Sequence, residues 1–148
     1  MKASKKIIVG LFIILVGIQF IRPDSNNDNR VMATDFIKTY EVPAQMGSIL
    51  RRACYDCHSN NTKYPWYSYI QPIGWLLNKH IREGKKKLNF SEFGTYSERK
   101  QISKLKSMKN QIKQNKMPLP SYTMIHPNAL LTSEEKNLII TFINNLTQ

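Results

Sequence analysis

The 148-residue sequence predicts an all-α fold, in which a small helical domain follows an apolar N-terminal segment. Three observations predict it. Apolar residues recur at helical spacing in four separate stretches after residue 41. Residues typical of helix starts and ends bound these stretches. No stretch shows the strict alternation of apolar and polar residues that would indicate a strand.

The first 23 residues have the features of a membrane-targeting segment. Lysines at positions 2, 5 and 6 precede an apolar run at Ile7–Ile21. A run of about 15 residues is short of the ~20 typical of a spanning helix but close to the lower limit of ~17. Its last residues are large, so no small-residue cleavage site follows it, and we expect an uncleaved anchor at 1–23 rather than a cleaved signal peptide. The positive-inside rule then places the rest of the chain outside the cytoplasm, which in a bacterium is the periplasmic side of the inner membrane.

The residues after the apolar run are polar and basic. We expect 24–41 to form a polar tether, and the domain to occupy 42–148. From residue 43 onward there are 16 Lys and Arg against 6 Asp and Glu, in a chain of net charge +12. Such a domain suits anionic headgroups or acidic redox proteins as partners. The membrane address argues against nucleic acid, the other usual partner of a basic chain.

The first helix of the domain is predicted to start at Val42-Pro43 and to lead straight into Cys54. Proline suits the first turn of a helix. The apolar residues at helical spacing are Met46, Ile49, Leu50 and Ala53. Such a helix would present both thiols and the histidine of the following segment on one side.

That segment, Cys54-Tyr55-Asp56-Cys57-His58, has the form C-x-x-C-H, the attachment signature of c-type haem. Two thiols at this spacing can add to the two vinyl groups of the porphyrin, and the adjacent histidine supplies an axial nitrogen to the iron. Three other interpretations of the two cysteines fit less well. A thioredoxin-like redox pair would follow a strand in a βαβ unit, and a zinc site would need four N or S ligands. A disulfide between cysteines three residues apart would close too small a loop to constrain the chain much. We therefore predict one covalent haem c.

An aromatic cluster, Tyr64-Pro65-Trp66-Tyr67, follows a polar loop at 59–62. We expect Tyr64 and Trp66 to form a wall or an outer cover of the haem pocket. The alternative is that they are ordinary core aromatics.

Three further helices complete the domain. The second is predicted from Pro72 to about Lys86, with an apolar face of Ile73, Leu76, Leu77, His80 and Ile81. The third begins after Ser97 as N-cap and must stop at Met117-Pro118, because proline disfavours helical geometry in the residue before it. The last opens at Thr132, which forms a capping-box pattern with Glu135.

The sixth iron ligand has several candidates. Met117 follows a helix and precedes a proline-stiffened loop, so it is the first choice. His80 is the main rival and would give bis-histidine ligation. The remaining candidates are His126, Met108 and Met124. An open sixth position would indicate gas binding or peroxidase chemistry instead.

Several segments together resemble the bacterial haem-binding domain family, whose members are small, cytochrome c-like proteins. They are Ala53–Thr62, Tyr64–Tyr67, Asn78–Ile81, Leu88–Phe93 and Met117–Tyr122. The resemblance covers roughly residues 40–146. It implies covalent attachment at Cys54 and Cys57 and iron ligation at His58, and it sets Met117 and His80 within family segments.

The predicted function is a membrane-anchored monohaem cytochrome that carries single electrons in the periplasm. No acid–base pair or nucleophile stands out, so we do not expect an enzyme. Two alternatives remain: a haem sensor or peroxidase-like protein with an open iron position, and an accessory haem subunit of a membrane redox complex.

Overall fold

Helices dominate the computed structural model, which describes residues 2–28 and 30–147. Its α-helices are α1 (Lys2–Ile18), α2 (Phe36–Thr39), α3 (Ala44–Ala53), α4 (Tyr55–His58), α5 (Ile73–Lys87), α6 (Glu98–Lys113), α7 (Pro120–Ile125) and α8 (Ser133–Leu146). Short 3₁₀ turns lie at Trp66–Tyr69, Phe93–Thr95 and Pro127–Ala129. The described part of the chain holds no strand, only an isolated bridge between Asn27 and Asn61. The prediction of an all-α fold is confirmed. Met1, Asn29 and Gln148, which belong to the predicted anchor, tether and domain, lie outside the described residues.

Helix α1 carries most of the predicted apolar run, and its large apolar side chains are exposed. Those from Ile7 to Val16 are 42–65% exposed. The helix ends at Ile18 because the amides of residues 19–21 bond to carbonyls only three residues back, which tightens the chain into a turn. Within the described ranges, no helix combines the length and the apolar character that crossing a membrane requires.

The segment predicted as a polar tether contributes to the domain core. Asp35 caps α2 by accepting a hydrogen bond from the Ile37 amide at 2.9 Å. Phe36 is 1% exposed and packs edge-on against Phe93, with ring centroids 5.0 Å apart. Only the first part of the segment, 24–30, is a polar run, and the apolar residues Phe36, Ile37 and Tyr40 come after it. The core of the domain therefore begins several residues before the predicted boundary at 42.

Helices α3, α6 and α8 supply the centre of the core. The predicted apolar face of α3 is buried, with Leu50 fully inaccessible. Helix α6 buries Leu105, Met108 and Ile112, and α8 buries Ile139 and Ile143. The capping box between Thr132 and Glu135 is present, so the predicted start of the last helix is confirmed.

Helix α6 ends earlier than predicted, at Lys113 rather than at Met117. The Lys116 amide bonds to the Gln111 carbonyl at 2.9 Å, and the Asn115 amide bonds to the Ile112 carbonyl at 3.0 Å. This is a Schellman motif, with Asn115 in the left-handed region at φ 54°. The asparagine therefore stops the helix, and Pro118 comes after the stop.

The predicted apolar face of α5 is buried only in part. Gly74 and Ile81 are its buried residues, whereas Ile73 and Leu76 are 45% and 55% exposed. The helix packs against α4 and the 3₁₀ turn at Trp66–Tyr69. Its C-terminal half therefore lies beside the C-x-x-C-H motif.

Candidate functional site

The C-x-x-C-H motif forms a separate helical turn directly after α3. Cys54 leaves helical geometry at φ −131°, and its carbonyl accepts hydrogen bonds from the amides of Cys57 and His58 at 3.2 and 3.0 Å. Tyr55 turns into the core, where its ring stacks on Phe90 at 5.0 Å. The break and the new turn therefore hold both thiols and the imidazole in one short loop.

Both cysteines carry free thiols and are partly buried. Burial is the main reason that the pKa of Cys54 is raised to about 12 and that of Cys57 to about 11. The thiols are therefore protonated at neutral pH, whereas redox and nucleophilic cysteines need a lowered pKa. This environment argues against a reactive dithiol pair.

A hydrogen bond to the backbone holds the ring of His58 in one tautomer. Its Nδ1 lies 3.0 Å from the Leu88 carbonyl oxygen. Because a carbonyl can only accept, Nδ1 carries the hydrogen, and Nε2 of the neutral ring keeps its lone pair. Burial lowers the pKa of His58, which favours the neutral form that a ligand must have.

Two adjoining cavities, of about 160 and 210 Å³, lie against the motif. We call them together the cleft. Both are lined by Ala53, Cys54, His58, Lys87, Met117 and Pro118. The larger cavity also contacts Cys57 and His80. The cleft therefore brings together two protonated thiols, an imidazole whose Nε2 keeps its lone pair and a thioether, and the last two are side chains that can ligate haem iron.

Gly84 allows α5 to approach the motif closely. A Cβ at this position would lie 2.6 Å from the carbonyl oxygen of Cys57. No side chain larger than hydrogen fits there without movement of the backbone. This glycine therefore determines how closely α5 closes the larger cavity.

The candidates for the sixth iron ligand differ in their surroundings. Met117 is half-buried and lines both cavities, and its amide bonds to the Gln111 carbonyl at 3.3 Å. His80 lines the larger cavity only, and Met108 the smaller only. Met124 is 81% exposed, and His126 hydrogen-bonds to Tyr67 through Nε2.

The structure does not bring Tyr64 and Trp66 to the cleft, contrary to the expectation from the sequence. The Tyr64 hydroxyl accepts a hydrogen bond from the Asn26 amide at 2.7 Å, so this ring holds the segment before the domain. Trp66 is 75% exposed. The residue before Trp66 is a proline that starts a 3₁₀ turn, which directs the indole outward.

Tyr122 lies at the site although the sequence analysis did not select it. It lines the larger cavity, and its hydroxyl donates to Asp56 Oδ2 at 2.8 Å. Burial and the Asp56 carboxylate raise the pKa of Tyr122. Tyr122 lies in α7, five residues after Met117, and this closeness in sequence to a predicted ligand was the signal that could have identified it. Tyr122 therefore ties α7 to the motif.

Comparison with known proteins agrees with this geometry. A family model described as a haem-binding domain matches residues 13–145. Curated proteins and solved structures give no match. The matched range includes every residue that lines the cleft.

Proposed function

This chain belongs to the haem-binding domain family, and we propose that it is a monohaem c-type cytochrome that carries single electrons. The observation that carries the proposal is the cleft itself. Cys54, His58 and Met117 line both of its cavities, and Cys57 lines the larger one.

The thiols serve as attachment points. A c-type haem would be held there by two thioether bonds, one from Cys54 and one from Cys57, each made by addition of the thiol S–H across a vinyl group. Both thiols are free and lie on one helical turn, so neither is tied up in a disulfide and both are available for attachment. Bound haem supplies the one-electron iron couple.

The axial side chains control that couple. We assign His58 Nε2 as one ligand, with the Leu88 carbonyl holding the ring in its tautomer. Met117 would be the other, because it lines both cavities together with His58, and a methionine ligand would raise the reduction potential. Two protein ligands leave no open position for a substrate, which favours electron transfer over catalysis. Apolar side chains on the smaller cavity, among them Phe90 and Leu131, exclude water.

We propose that the protein is held at the bacterial inner membrane with its domain in the periplasm, where c-type haem is attached. The support is the exposed apolar surface of α1, and the residues directly after α1 are attached to the domain. Gln19 and Gln71 exchange hydrogen bonds of 3.2 and 2.9 Å, and the Trp75 indole N–H donates to the Ile21 carbonyl at 2.8 Å. Fractionation of cells should find the protein in the membrane pellet after a high-salt wash, and recovery in the soluble fraction would contradict the proposal.

The redox partner is proposed to be an acidic protein. Helix α6 carries lysines at 100, 104, 106, 109 and 113, and Lys116 follows it. Helix α6 also forms one wall of the cleft. A partner that docks there would approach the haem, and its electron-transfer rate should fall steeply with ionic strength.

Attachment is tested with the full chain co-expressed with a cytochrome c maturation system. Haem should stay on the polypeptide through acidified acetone and give a c-type pyridine haemochrome spectrum. The matched control is a variant with Cys54→Ser and Cys57→Ser, from which haem should extract. Haem that extracts freely from the native protein would overturn the covalent proposal, and carbon monoxide binding to the reduced native protein would overturn the two-ligand proposal.

A further inference from the structure

The smaller cavity of the cleft has positively charged side chains on its wall. Lys87, at the end of α5, and Lys104, within α6, both line it. Ser107 and Gln111 follow Lys104 on the same face of α6 and add neutral polar groups. Among the described residues that line this cavity, none is Asp or Glu. An anionic group placed there would therefore meet only cations and neutral donors.

Neither lysine is engaged elsewhere in the described chain. No hydrogen bond or ion pair between described residues involves the ammonium of Lys87 or Lys104. By contrast, the Lys85 ammonium donates to Asn26 Oδ1 at 2.5 Å. Lys104 is half-buried, and a charge that is partly removed from water is stabilised when it finds a counter-charge. The two ammonium groups are thus available to a bound anion.

Haem chemistry relates this cavity to the cysteines. The vinyl groups that receive the thiols sit on two adjacent pyrrole rings, and the two propionates sit on the other two, across the macrocycle. Cys54 and Lys87 line both cavities, but Cys57 and Glu83 line only the larger one and Lys104 only the smaller one. A propionate beside Glu83 would be repelled, and one beside Lys104 would be attracted.

We propose that Lys87 and Lys104 bind the haem propionates, an assignment that rests on the proposed covalent haem. Each ammonium donates to a propionate carboxylate and neutralises a charge that would otherwise enter a half-buried cleft. Positive charge near the iron disfavours the oxidised form, so the same two lysines also raise the midpoint potential.

The test uses the full chain, matured with haem, as wild type and as Lys87→Gln, Lys104→Gln and the double variant. Lys106→Gln is the matched control, since it removes the same charge from an exposed position of α6 outside the cavity. Resonance Raman spectra report the propionate bending bands, and redox titration reports the midpoint potential. Lys104→Arg keeps the charge and should retain the native potential.

The expected result is a shift of the propionate bands and a lower midpoint potential in both single variants, larger in the double variant and absent in Lys106→Gln. Covalent haem with unchanged bands in the double variant would overturn the lysine assignment alone. Equal shifts in Lys106→Gln would also overturn it, because they would show a general charge effect. A chain that binds no haem would overturn the proposed function, and this inference with it.

Discussion

Gly84→Ala is expected to disturb the packing that holds the C-x-x-C-H motif against α5. A Cβ there would lie 2.6 Å from the Cys57 carbonyl oxygen and 3.3 Å from its carbonyl carbon. Ordinary contact begins at 3.4 Å, so the two segments would have to separate by about 0.8 Å. The oxygen belongs to the backbone of the motif turn, whose amides at Cys57 and His58 bond to Cys54. It cannot rotate away as a flexible side chain would.

The magnitude follows from two opposing terms. Overpacking of this kind costs ~1–3 kcal/mol. Alanine in place of a helical glycine stabilises by ~0.5–1 kcal/mol. The free energy of unfolding should therefore fall by about 0–2.5 kcal/mol, with a midpoint of about 1 kcal/mol. Gly47→Ala in α3 is the matched control, because its Cβ would meet only Ile37 side-chain atoms at 3.7 and 3.9 Å, and it should stabilise by about 0.4–1 kcal/mol.

Urea unfolding of the haem-free variants, followed by circular dichroism, measures this difference. The haem content per polypeptide, measured in cells with the maturation system, reports whether the motif keeps the geometry that attachment needs. Lower stability and lower haem content are expected for Gly84→Ala alone. Equal stability of the two alanine variants would refute the close contact between α5 and the motif.

Three further predictions concern ligation, capping and thiol reactivity. Met117→Ala should lower the midpoint potential and change the iron spectrum, whereas His80→Ala should leave the spectrum native. Redox titration and electron paramagnetic resonance measure both variants. A native spectrum in Met117→Ala and a changed one in His80→Ala would show that the ligand is His80. Thr132→Ala removes the capping box of α8 and should cost about 1 kcal/mol, and an unchanged urea midpoint would contradict this role. In haem-free protein at pH 8.5, Cys57 should react with iodoacetamide about 100-fold more slowly than after unfolding in urea. Burial raises the pKa of Cys57 to about 11, and below its pKa a thiol loses about tenfold of its thiolate fraction per pH unit. Equal rates in the folded and unfolded protein would contradict that burial.

Local sequence signals predicted most of the helices of the domain. Ala44–Ala53 and Ile73–Lys87 agree with their apolar spacing, and Ser133–Leu146 agrees with the capping box that precedes it. These signals are reliable because a helix start or an apolar stripe depends on residues within a few positions of one another. The end of α6 differs from the prediction. Pro118 was expected to stop the helix, but Asn115 stops it earlier by adopting the left-handed conformation.

Some of the residues selected from the sequence line the cleft. Cys54, Cys57, His58 and Met117 are among these residues, and their part in holding haem stays a prediction. Tyr64 and Trp66 lie elsewhere, since proximity in sequence to the motif does not decide on which side of it an aromatic ring falls. Tyr122, distant in sequence, reaches Asp56 instead.

The sequence by itself determined the all-α class, the C-x-x-C-H spacing and the family, because each depends on residue types at short, regular spacing. Only the tertiary structure decided which distant residues share the cleft with the motif. Lys87 in α5 and Lys104 in α6 are 17 residues apart in the chain, yet both line one cavity with Cys54 and His58. Gly84 matters only because α5 packs so close to the motif that the Cys57 carbonyl oxygen occupies the space a Cβ would need. Such relations arise from contacts between segments far apart in the chain, which no local pattern encodes.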